Sequence, residues 1–252
     1  MDILVGSTGF VGSHFLRARR FDVAVHRPDV STIRGSRSGL LVCAGLPAEK
    51  WRADQHPDED WENVRALAAV LQHVTAERAV LVSTIDVFEP PNGVVESSPI
   101  SVAASSAYGR NRAWFELFFR HQFPGSLIVR LPGLFAPDVR KNLIHDLIHA
   151  RSAFVERISS RASFQFFDVR DIPPLIERTL ALELETLNVS SAPVDAGTIA
   201  RIFDVELSDE GASADYDMRS SHAGLFGGCD GYLIGRDEII ERISTLRVER
   251  LR

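Results

Sequence analysis

The first fourteen residues, Met1-Asp-Ile-Leu-Val-Gly-Ser-Thr-Gly-Phe-Val-Gly-Ser-His14, decide the fold. Residues 3–5 predict a short buried strand, three glycines follow at a spacing of three, and a helical pattern comes next. Gly6 permits a sharp turn, Gly9 lets the backbone approach a pyrophosphate, and Gly12 lets the helix pack tightly on the strand. The free N–H groups at the helix start then face the phosphates. This pattern predicts a dinucleotide-binding loop, although a tight strand–helix turn that binds nothing has the same pattern.

Composition limits the class of protein. The chain has 252 residues, 45% hydrophobic and 25% charged, which suits one large α/β domain or a core domain with a small appendage. The net charge of −6 argues against a nucleic-acid partner. Cys43 and Cys229 are too few for a disulfide framework, and no signal peptide or bilayer-length apolar run is recognised, so we expect a cytoplasmic protein without a membrane partner.

Strands and helices alternate along the first half of the chain, which predicts a doubly wound, mostly parallel sheet. The predicted strands are 3–5, 21–26, 40–44, 79–82 and 126–131, and the predicted helices are 13–20, 61–75 and 105–121. The helix expected after the second strand is missing, because residues 31–38 are polar. Residues 48–60 and 89–98 read as loops, the first of them over the active face. Farther on we expect strands 164–167 and 187–189, and helices 142–150, 171–184, 198–203 and 236–248.

The residues at the end of the second predicted strand indicate which cofactor is preferred. An acid there binds the ribose hydroxyls of NAD, whereas an arginine favours the 2′-phosphate of NADP. This strand ends in His26-Arg27, with Asp29 two residues later. We therefore expect NADP, with NAD as the alternative, in preference to a solvated surface arginine that binds nothing.

Three side chains form a candidate reaction centre. Thr84 ends one predicted strand, and Tyr108 lies on the helix that follows. A hydroxyl and a phenol at one sheet end can share a proton with a substrate carbonyl or alcohol. Arg112 is four residues after Tyr108 on the same helix face, so its charge is expected to lower the pKa of the phenol.

Seven motifs in this order resemble the extended short-chain dehydrogenase/reductase family of NAD(P)-dependent epimerases, dehydratases and ketoreductases of nucleotide sugars. They are Gly6-Ser-Thr-Gly-Phe-Val-Gly12, Ala44-Gly-Leu46, Asn63, Ser83-Thr-Ile-Asp-Val-Phe88, Tyr108-Gly-Arg-Asn-Arg112, Arg130-Leu-Pro-Gly-Leu-Phe-Ala-Pro137 and Asp168-Val-Arg-Asp-Ile172. The resemblance implies a Rossmann-like core over residues 1–132, to which residues 163–191 return. Residues 133–162 and 192–252 would form a reduced substrate-binding part.

The resemblance also implies an activity and a site. The protein would be an NAD(P)-dependent oxidoreductase or epimerase that transfers a hydride on a nucleotide sugar or related substrate. Thr84 would bind the substrate oxygen, Tyr108 would be the acid/base, and Arg112 would stand where the family has lysine. The cofactor would lie on Gly6, Thr8, Gly9, Phe10, Val11, Gly12, Arg27, Ala44, Gly45, Leu46, Tyr108, Arg112 and Pro132. A homodimer through the tyrosine helix and its neighbour is left open.

Three positions depart from the family. Arg112 replaces the lysine, and arginine is longer, planar and differently hydrated. Phe88 stands where a second tyrosine is frequent. Ile85 follows Thr84 where dehydratases have an acid pair that Asp86 alone does not restore, which disfavours dehydration. The second hypothesis is therefore a non-catalytic NADP-binding sensor or scaffold.

One weaker pattern is a pair of histidines. His145 and His149 are four residues apart, as in a zinc helix, but Asp146 stands where glutamate is expected. We therefore predict no metal site, and we expect Asn142 to cap this helix.

Overall fold

The structure is a computed structural model that describes residues 1–149 and 155–250. The chain divides into two compact units. The first comprises Met1–Pro90, Ser97–Arg130 and Ile172–Leu187, and the second comprises Pro91–Glu96, Leu131–Asp171 and Asn188–Arg252. In the structure the chain therefore returns to the first unit at Ile172.

The first unit is built on a six-stranded sheet whose strands come from both halves of the chain. They are β1 (Asp2–Val5), β2 (Val23–Val25), β3 (Arg37–Cys43), β4 (Thr75–Thr84), β6 (Leu127–Leu131) and β10 (Thr186–Asn188). The spatial order is β2-β1-β3-β4-β6-β10, and β2, β1, β3 and β4 run parallel. The predicted doubly wound, mostly parallel sheet is confirmed.

The strand order places a crevice at the end of β1. After β1 the chain passes to β2 on one side and then to β3 on the other, so the order reverses at β1. In open α/β sheets ligands bind outside the carboxyl ends of the strands at such a reversal. Val5 pairs with Cys43, which pairs with Leu81, so β1, β3 and β4 end at one edge.

Helices cover the sheet of the first unit. They are α1 (Phe10–Ala18), α2 (Lys50–Gln55), α3 (Pro57–Leu71), α4 (Ala107–Gln122) and, later in the chain, α6 (Ile172–Ala181). One core cluster joins Ile3 and Leu41 of the sheet to Leu67 of α3 and Phe115 of α4. Alternate strand residues such as Leu4 are also fully buried, so both faces of the sheet are covered.

The predicted loop over residues 48–60 is wrong, because α2 and the start of α3 occupy it. Pro57 stands in the first turn of α3, and Asp58, Glu59 and Asp60 follow it. Proline early in a helix and acids in its first turn are both helix-start signals. The high charge of this stretch therefore reflects a helix N-terminus rather than a loop. After β2 the chain forms a short 3-10 helix, Arg27–Ile33, in agreement with the expected loss of an α-helix there.

The second unit contains short paired strands and three helices. β5 (Asn92–Val94) pairs in parallel with β12 (Asp217–Met218), and β7 (Gly133–Phe135) pairs in parallel with β9 (Phe166–Asp168). β8 (Ser163–Phe164) runs antiparallel to β11 (Val194–Asp195). The helices are α5 (Leu143–Ile148), α7 (Ala196–Ile202) and α8 (Arg236–Arg250). The predicted loop 89–98 thus contains a strand, and the predicted helix end at Ala150 lies outside the described residues.

Candidate active site

The glycine loop between β1 and α1 has a conformation that side chains would prevent. Gly6 has φ +89, and a Cβ there would lie 2.2 Å from the carbonyl oxygen of Ala44. A Cβ on Gly12 would lie 2.0 Å from the carbonyl oxygen of Gly6. Gly9 precedes α1 in an extended conformation, and its N–H donates to the Gly6 carbonyl at 3.0 Å. The turn and the close packing of α1 on β1 therefore both depend on glycine.

The other residues predicted to bind the cofactor lie in this loop, in the first turn of α1, after β3 and in the second unit. Thr8 and Gly9 are exposed at its tip, and Phe10, Val11 and Gly12 form the first turn of α1. Ala44, Gly45 and Leu46 follow β3, and a Cβ on Gly45 would lie 2.7 Å from the Val5 side chain. Pro132 lies in the second unit, between β6 and β7.

Arg27 begins the 3-10 helix directly after β2. Its guanidinium donates to the Asn63 side-chain oxygen at 3.4 Å, and both residues line a cavity of about 70 Å³. The carboxylate of Asp29 lies 2.9 Å from Nδ1 of His26. The acid near this strand end is thus engaged locally, whereas the arginine faces a small polar cavity.

Thr84 and Tyr108 lie on two elements of the first unit that are in contact with each other. Thr84 ends β4, and Tyr108 lies in the first turn of α4, where the N-cap Ser106 accepts a hydrogen bond from the N–H of Gly109. Burial raises the pKa of the Tyr108 phenol, and the Thr84 hydroxyl acts more weakly in the opposite direction. A Cβ on Gly109 would lie 2.2 Å from the carbonyl oxygen of Asp86, so glycine after the tyrosine allows the helix to reach the strand end.

The Arg112 charge lowers the phenol pKa as expected, but burial outweighs it and the net pKa of Tyr108 is raised. Burial of Tyr108, which is 7% exposed, raises the pKa of its phenol most strongly. The Arg112 charge opposes this effect, and the Asp86 carboxylate adds to it. The net pKa of Tyr108 is raised, so the group is a neutral phenol at physiological pH.

Arg112 is buried and engaged by two oxygen partners. Its guanidinium forms an ion pair with Asp60 of α3 and also donates to the carbonyl of Pro47. It lies 4.0 Å from the ring centroid of Tyr108, over the face of that ring. Within the described part of the chain, its Nε atom is buried and has no hydrogen-bond partner.

Sequence reasoning missed three acids and a lysine around these residues. Asp60 accepts from Arg112 and, at 2.8 Å, from Asn111. Asp54 of α2 accepts from the N–H of Tyr108 at 3.1 Å, and Lys50 of α2 pairs with Asp86 at 2.6 Å. The helix-start signals at residue 57 pointed to a helix here, but no sequence pattern indicated which partners its acids would take.

A buried network supports the far side of the site. Glu116 lies on α4 two turns beyond Tyr108 and accepts from Ser83 at 2.5 Å and from Arg130 at 2.8 Å. The Arg130 guanidinium lies 4.8 Å from the centroid of Phe88. The network ties α4 to the ends of β4 and β6. Phe88 thus packs against a cation.

The histidine pair of the second unit forms no metal cluster in the described residues. His145 and His149 have rings 4.2 Å apart, and Asp146 lies 3.2 Å from His145. No group of three or more candidate ligands that could hold a metal occurs in residues 1–149 and 155–250. Asn142 accepts from the N–H of His145 at 3.1 Å, which confirms it as a helix cap. Over the same residues, no helix is long and apolar enough to cross a membrane.

Solved structures match the fold over nearly the whole chain. The dTDP-4-dehydrorhamnose reductase from Bacillus anthracis, solved in complex with NADP, is 17% identical with a TM-score of 0.76, covering 98% of each chain. A dTDP-4-dehydrorhamnose reductase from Clostridium acetobutylicum is 16% identical with a TM-score of 0.74, covering 98% of this chain and 100% of the other. The UDP-glucose 4-epimerase from Thermotoga maritima, solved with UDP-glucose, is 14% identical with a TM-score of 0.70, and the match covers 100% of both chains.

No protein-family model matches the chain, and neither does any curated protein. The chain thus has the fold of extended short-chain dehydrogenases/reductases, as the seven motifs indicated. At these identities the likeness establishes the fold alone.

Proposed function

We propose that the protein is an NAD(P)-dependent oxidoreductase or epimerase of the extended short-chain dehydrogenase type. Its substrate would be a nucleotide sugar or a related keto or hydroxy compound. The observation that carries the proposal is the placement of Thr84 at the carboxyl end of β4 and of Tyr108 in the first turn of α4, whose Gly109 packs against the backbone of Asp86. The glycine loop follows β1 at the same sheet edge. Full-length fold matches to proteins solved with NADP and with UDP-glucose support the proposal.

Two observations support a fit to a nicotinamide dinucleotide. In the loop from Gly6 to Gly12, glycine stands at the positions where the backbone leaves no room for a Cβ, and α1 begins within this loop at Phe10. The buried Nε of Arg112 also lacks a partner in the described residues. The loop and the residues after β3 would hold the diphosphate and adenosine, and Arg112 would face the nicotinamide ribose. When bound, the nicotinamide would supply or accept the hydride.

Side chains of the protein would carry out the proton transfer. In the direction of reduction, Tyr108 donates its phenolic proton to the substrate oxygen, and Thr84 holds that oxygen by a hydrogen bond. The raised pKa of Tyr108 keeps its proton in place at neutral pH. This state suits an acid that protonates a carbonyl oxygen. Release of the cofactor after each turnover would make the protein a reductase, and retention of the cofactor would make it an epimerase.

Arg27 supports NADP over NAD. It is exposed at the end of β2, whereas Asp29, the acid that would bind an unmodified ribose, pairs with His26. Arg27→Ala should weaken NADPH binding and leave NADH binding unchanged. Equal loss for both nucleotides would show that Arg27 does not recognise the 2′-phosphate.

The central experiment combines binding and turnover. The purified protein is titrated with NADPH and NADH and then incubated with a panel of ketosugar nucleotides while NADPH absorbance is followed. Tyr108→Phe removes the proton and keeps the ring, so it should retain NADPH affinity and lose turnover. Absence of affinity for both nucleotides would refute the proposal.

A non-catalytic NADP-binding sensor is the second candidate. The observation that favours it is the pairing of Arg112 with Asp60 and Pro47, which holds the guanidinium in a structural ion pair beside the phenol. A sensor would bind NADPH with the same affinity before and after Tyr108→Phe and would consume none with any substrate.

Two further assignments follow from the same proposal. The second unit would supply the substrate-binding part. A homodimer would form through α3 and α4, whose exposed groove contains Trp61, Trp114 and Phe118, with ring centroids 4.8 and 5.8 Å from one neighbour to the next. Glu62 and Arg65 flank the groove, so two copies related by a two-fold axis can pair opposite charges. Trp114→Glu should convert a dimer to a monomer in sedimentation, and an unchanged mass would contradict this interface.

A further inference from the structure

A carboxylate of α2 holds the turn of α4 that carries Tyr108. The side chain of Asp54 accepts the backbone N–H of Tyr108 at 3.1 Å and the hydroxyl of Ser106 at 2.9 Å. Both of these bonds end on one oxygen, Oδ1, and the second carboxylate oxygen lies 3.3 Å from the same hydroxyl. The contact joins two residues that are 54 positions apart in the chain.

We propose that Asp54 is a positioning residue that fixes the first turn of α4, and with it the phenol of Tyr108, at the carboxyl end of β4. The role in the reaction rests on the function proposed above. The contact itself does not, because it exists in the protein without cofactor or substrate.

The start of a helix explains why an acceptor from outside is needed. The first N–H groups of a helix have no partner within the helix. In α4 the hydroxyl of the N-cap Ser106 accepts from the N–H of Gly109 at 3.3 Å, and the N–H of Tyr108 is bonded by Asp54 instead. The same Ser106 hydroxyl donates to Asp54, so the two acceptors form one connected group.

The helix that carries Asp54 is itself fixed to its neighbours. Arg52 pairs with Glu59 of α3 at 2.8 Å, and Lys50 pairs at 2.6 Å with Asp86, which follows β4. Contacts with α3 and with the end of β4 therefore locate α2. Because its acceptor oxygen stands on an element that is located in this way, Asp54 can in turn locate α4.

The exposure of Asp54 separates positioning from stability. The residue is exposed, so water can satisfy the N–H of Tyr108 when the carboxylate is removed. The fold should therefore tolerate the loss. Water does not fix the distance between α2 and α4, however, and a displacement of about 1 Å at a reacting group can cost roughly 100-fold in rate.

A second carboxylate offers a comparison within the same segment. Glu89 accepts the N–H of Ser105 at 3.0 Å and also accepts the hydroxyl of that residue. Its contacts are of the same chemical kind as those of Asp54. Ser105 precedes the N-cap, however, so Glu89 holds the chain before α4 and not the turn of Tyr108. Glu89→Ala is therefore the matched control.

The first measurement uses the protein without cofactor or substrate. Fluorotyrosine labels the three tyrosines, and the fluorine resonance of Tyr108 is the one that Tyr108→Phe removes. Asp54→Ala should move this resonance and leave those of Tyr216 and Tyr232, which lie in the second unit, in place. Asp54→Asn should leave all three in place, because its amide oxygen can replace Oδ1, and Glu89→Ala should do the same.

The second measurement is turnover with a substrate found in the panel of ketosugar nucleotides. Asp54→Ala should lower kcat by about tenfold, because the proton donor is displaced from the reacting oxygen. It should leave KM and NADPH affinity unchanged, since the proposal places neither ligand against Asp54. Asp54→Asn should restore kcat, and Glu89→Ala should not alter it.

Three results would overturn the proposal. The first is an unmoved Tyr108 resonance in Asp54→Ala. The second is an Asp54→Asn variant that behaves like Asp54→Ala, because the effect would then come from charge near the helix N-terminus and not from the bond. The third is an equal effect of Glu89→Ala. A moved resonance in Asp54→Ala with no turnover by the unaltered protein would support the positioning of Tyr108 and count against the enzymatic function.

Discussion

Removal of the Asp60 carboxylate is the most informative perturbation of the first unit. Arg112 and Asp60 are 2% and 5% exposed, so Asp60→Asn leaves a buried guanidinium without its counter-ion. Loss of one partner of a buried ion pair typically costs about 3–5 kcal/mol. For a chain of this size such a loss corresponds to a fall of roughly 6–20 °C in melting temperature. Asparagine preserves shape, so the change reports charge rather than packing.

The assay is urea unfolding followed by circular dichroism, with two companion variants. Glu59→Ala removes an acid one residue earlier that pairs with Arg52 at the surface, and an exposed pair is worth only about 0–1 kcal/mol. The double variant Asp60→Leu with Arg112→Met removes both charges and should be more stable than Asp60→Asn, because no buried charge remains. If Asp60→Asn costs no more than Glu59→Ala, Arg112 is not buried as the structure describes, and the argument about the site fails with it.

Two other perturbations test the loop and the sheet. Gly12→Ala should destabilise the protein by about 2–4 kcal/mol, because its Cβ would meet a backbone oxygen at 2.0 Å. Gly9→Ala should change the free energy of unfolding by less than about 1 kcal/mol and should abolish NADPH binding. If the two variants lose the same amount of stability, the loop geometry described above is wrong. Burial raises the pKa of Cys43 from 9.0 to about 12. The contribution of this thiol to the free energy of unfolding is therefore fully present below pH 9.0 and falls as pH rises toward 12, by about 1.4 kcal/mol per pH unit. Urea titrations at several pH values should show this slope for the unaltered protein and not for Cys43→Ala. Equal slopes for the two proteins would contradict burial of the thiol.

The parts of the fold that could be predicted are those set by local sterics. The glycine loop was recognisable because its turn and its close packing each exclude a Cβ, so glycine is required at residues 6 and 12. The contact between Tyr108 and Arg112 was predictable because helical spacing places them on one face. Neither inference needed knowledge of a distant element.

The partners of Arg112 could not be predicted for the opposite reason. Asp60 is 52 residues away in sequence, on a helix whose start was mistaken for a loop because its first turn is acidic. The net direction of the Tyr108 pKa shift could not be predicted for the same reason, because burial and the Asp86 charge both depend on how α4 docks on the end of β4. Long-range contacts of this kind decide the electrostatics of the site, and periodicity carries no information about them.

These contacts change what an arginine in place of lysine means. A lysine next to the phenol adds one positive charge, and Arg112 keeps a positive charge there although it is paired with Asp60. Burial raises the pKa of the phenol by more than the Arg112 charge lowers it, so the phenol keeps its proton at neutral pH. A group of that kind is better prepared to protonate a carbonyl than to deprotonate an alcohol. Of the two reactions proposed, the electrostatics therefore favour reduction, because an epimerase must use the same tyrosine in both directions.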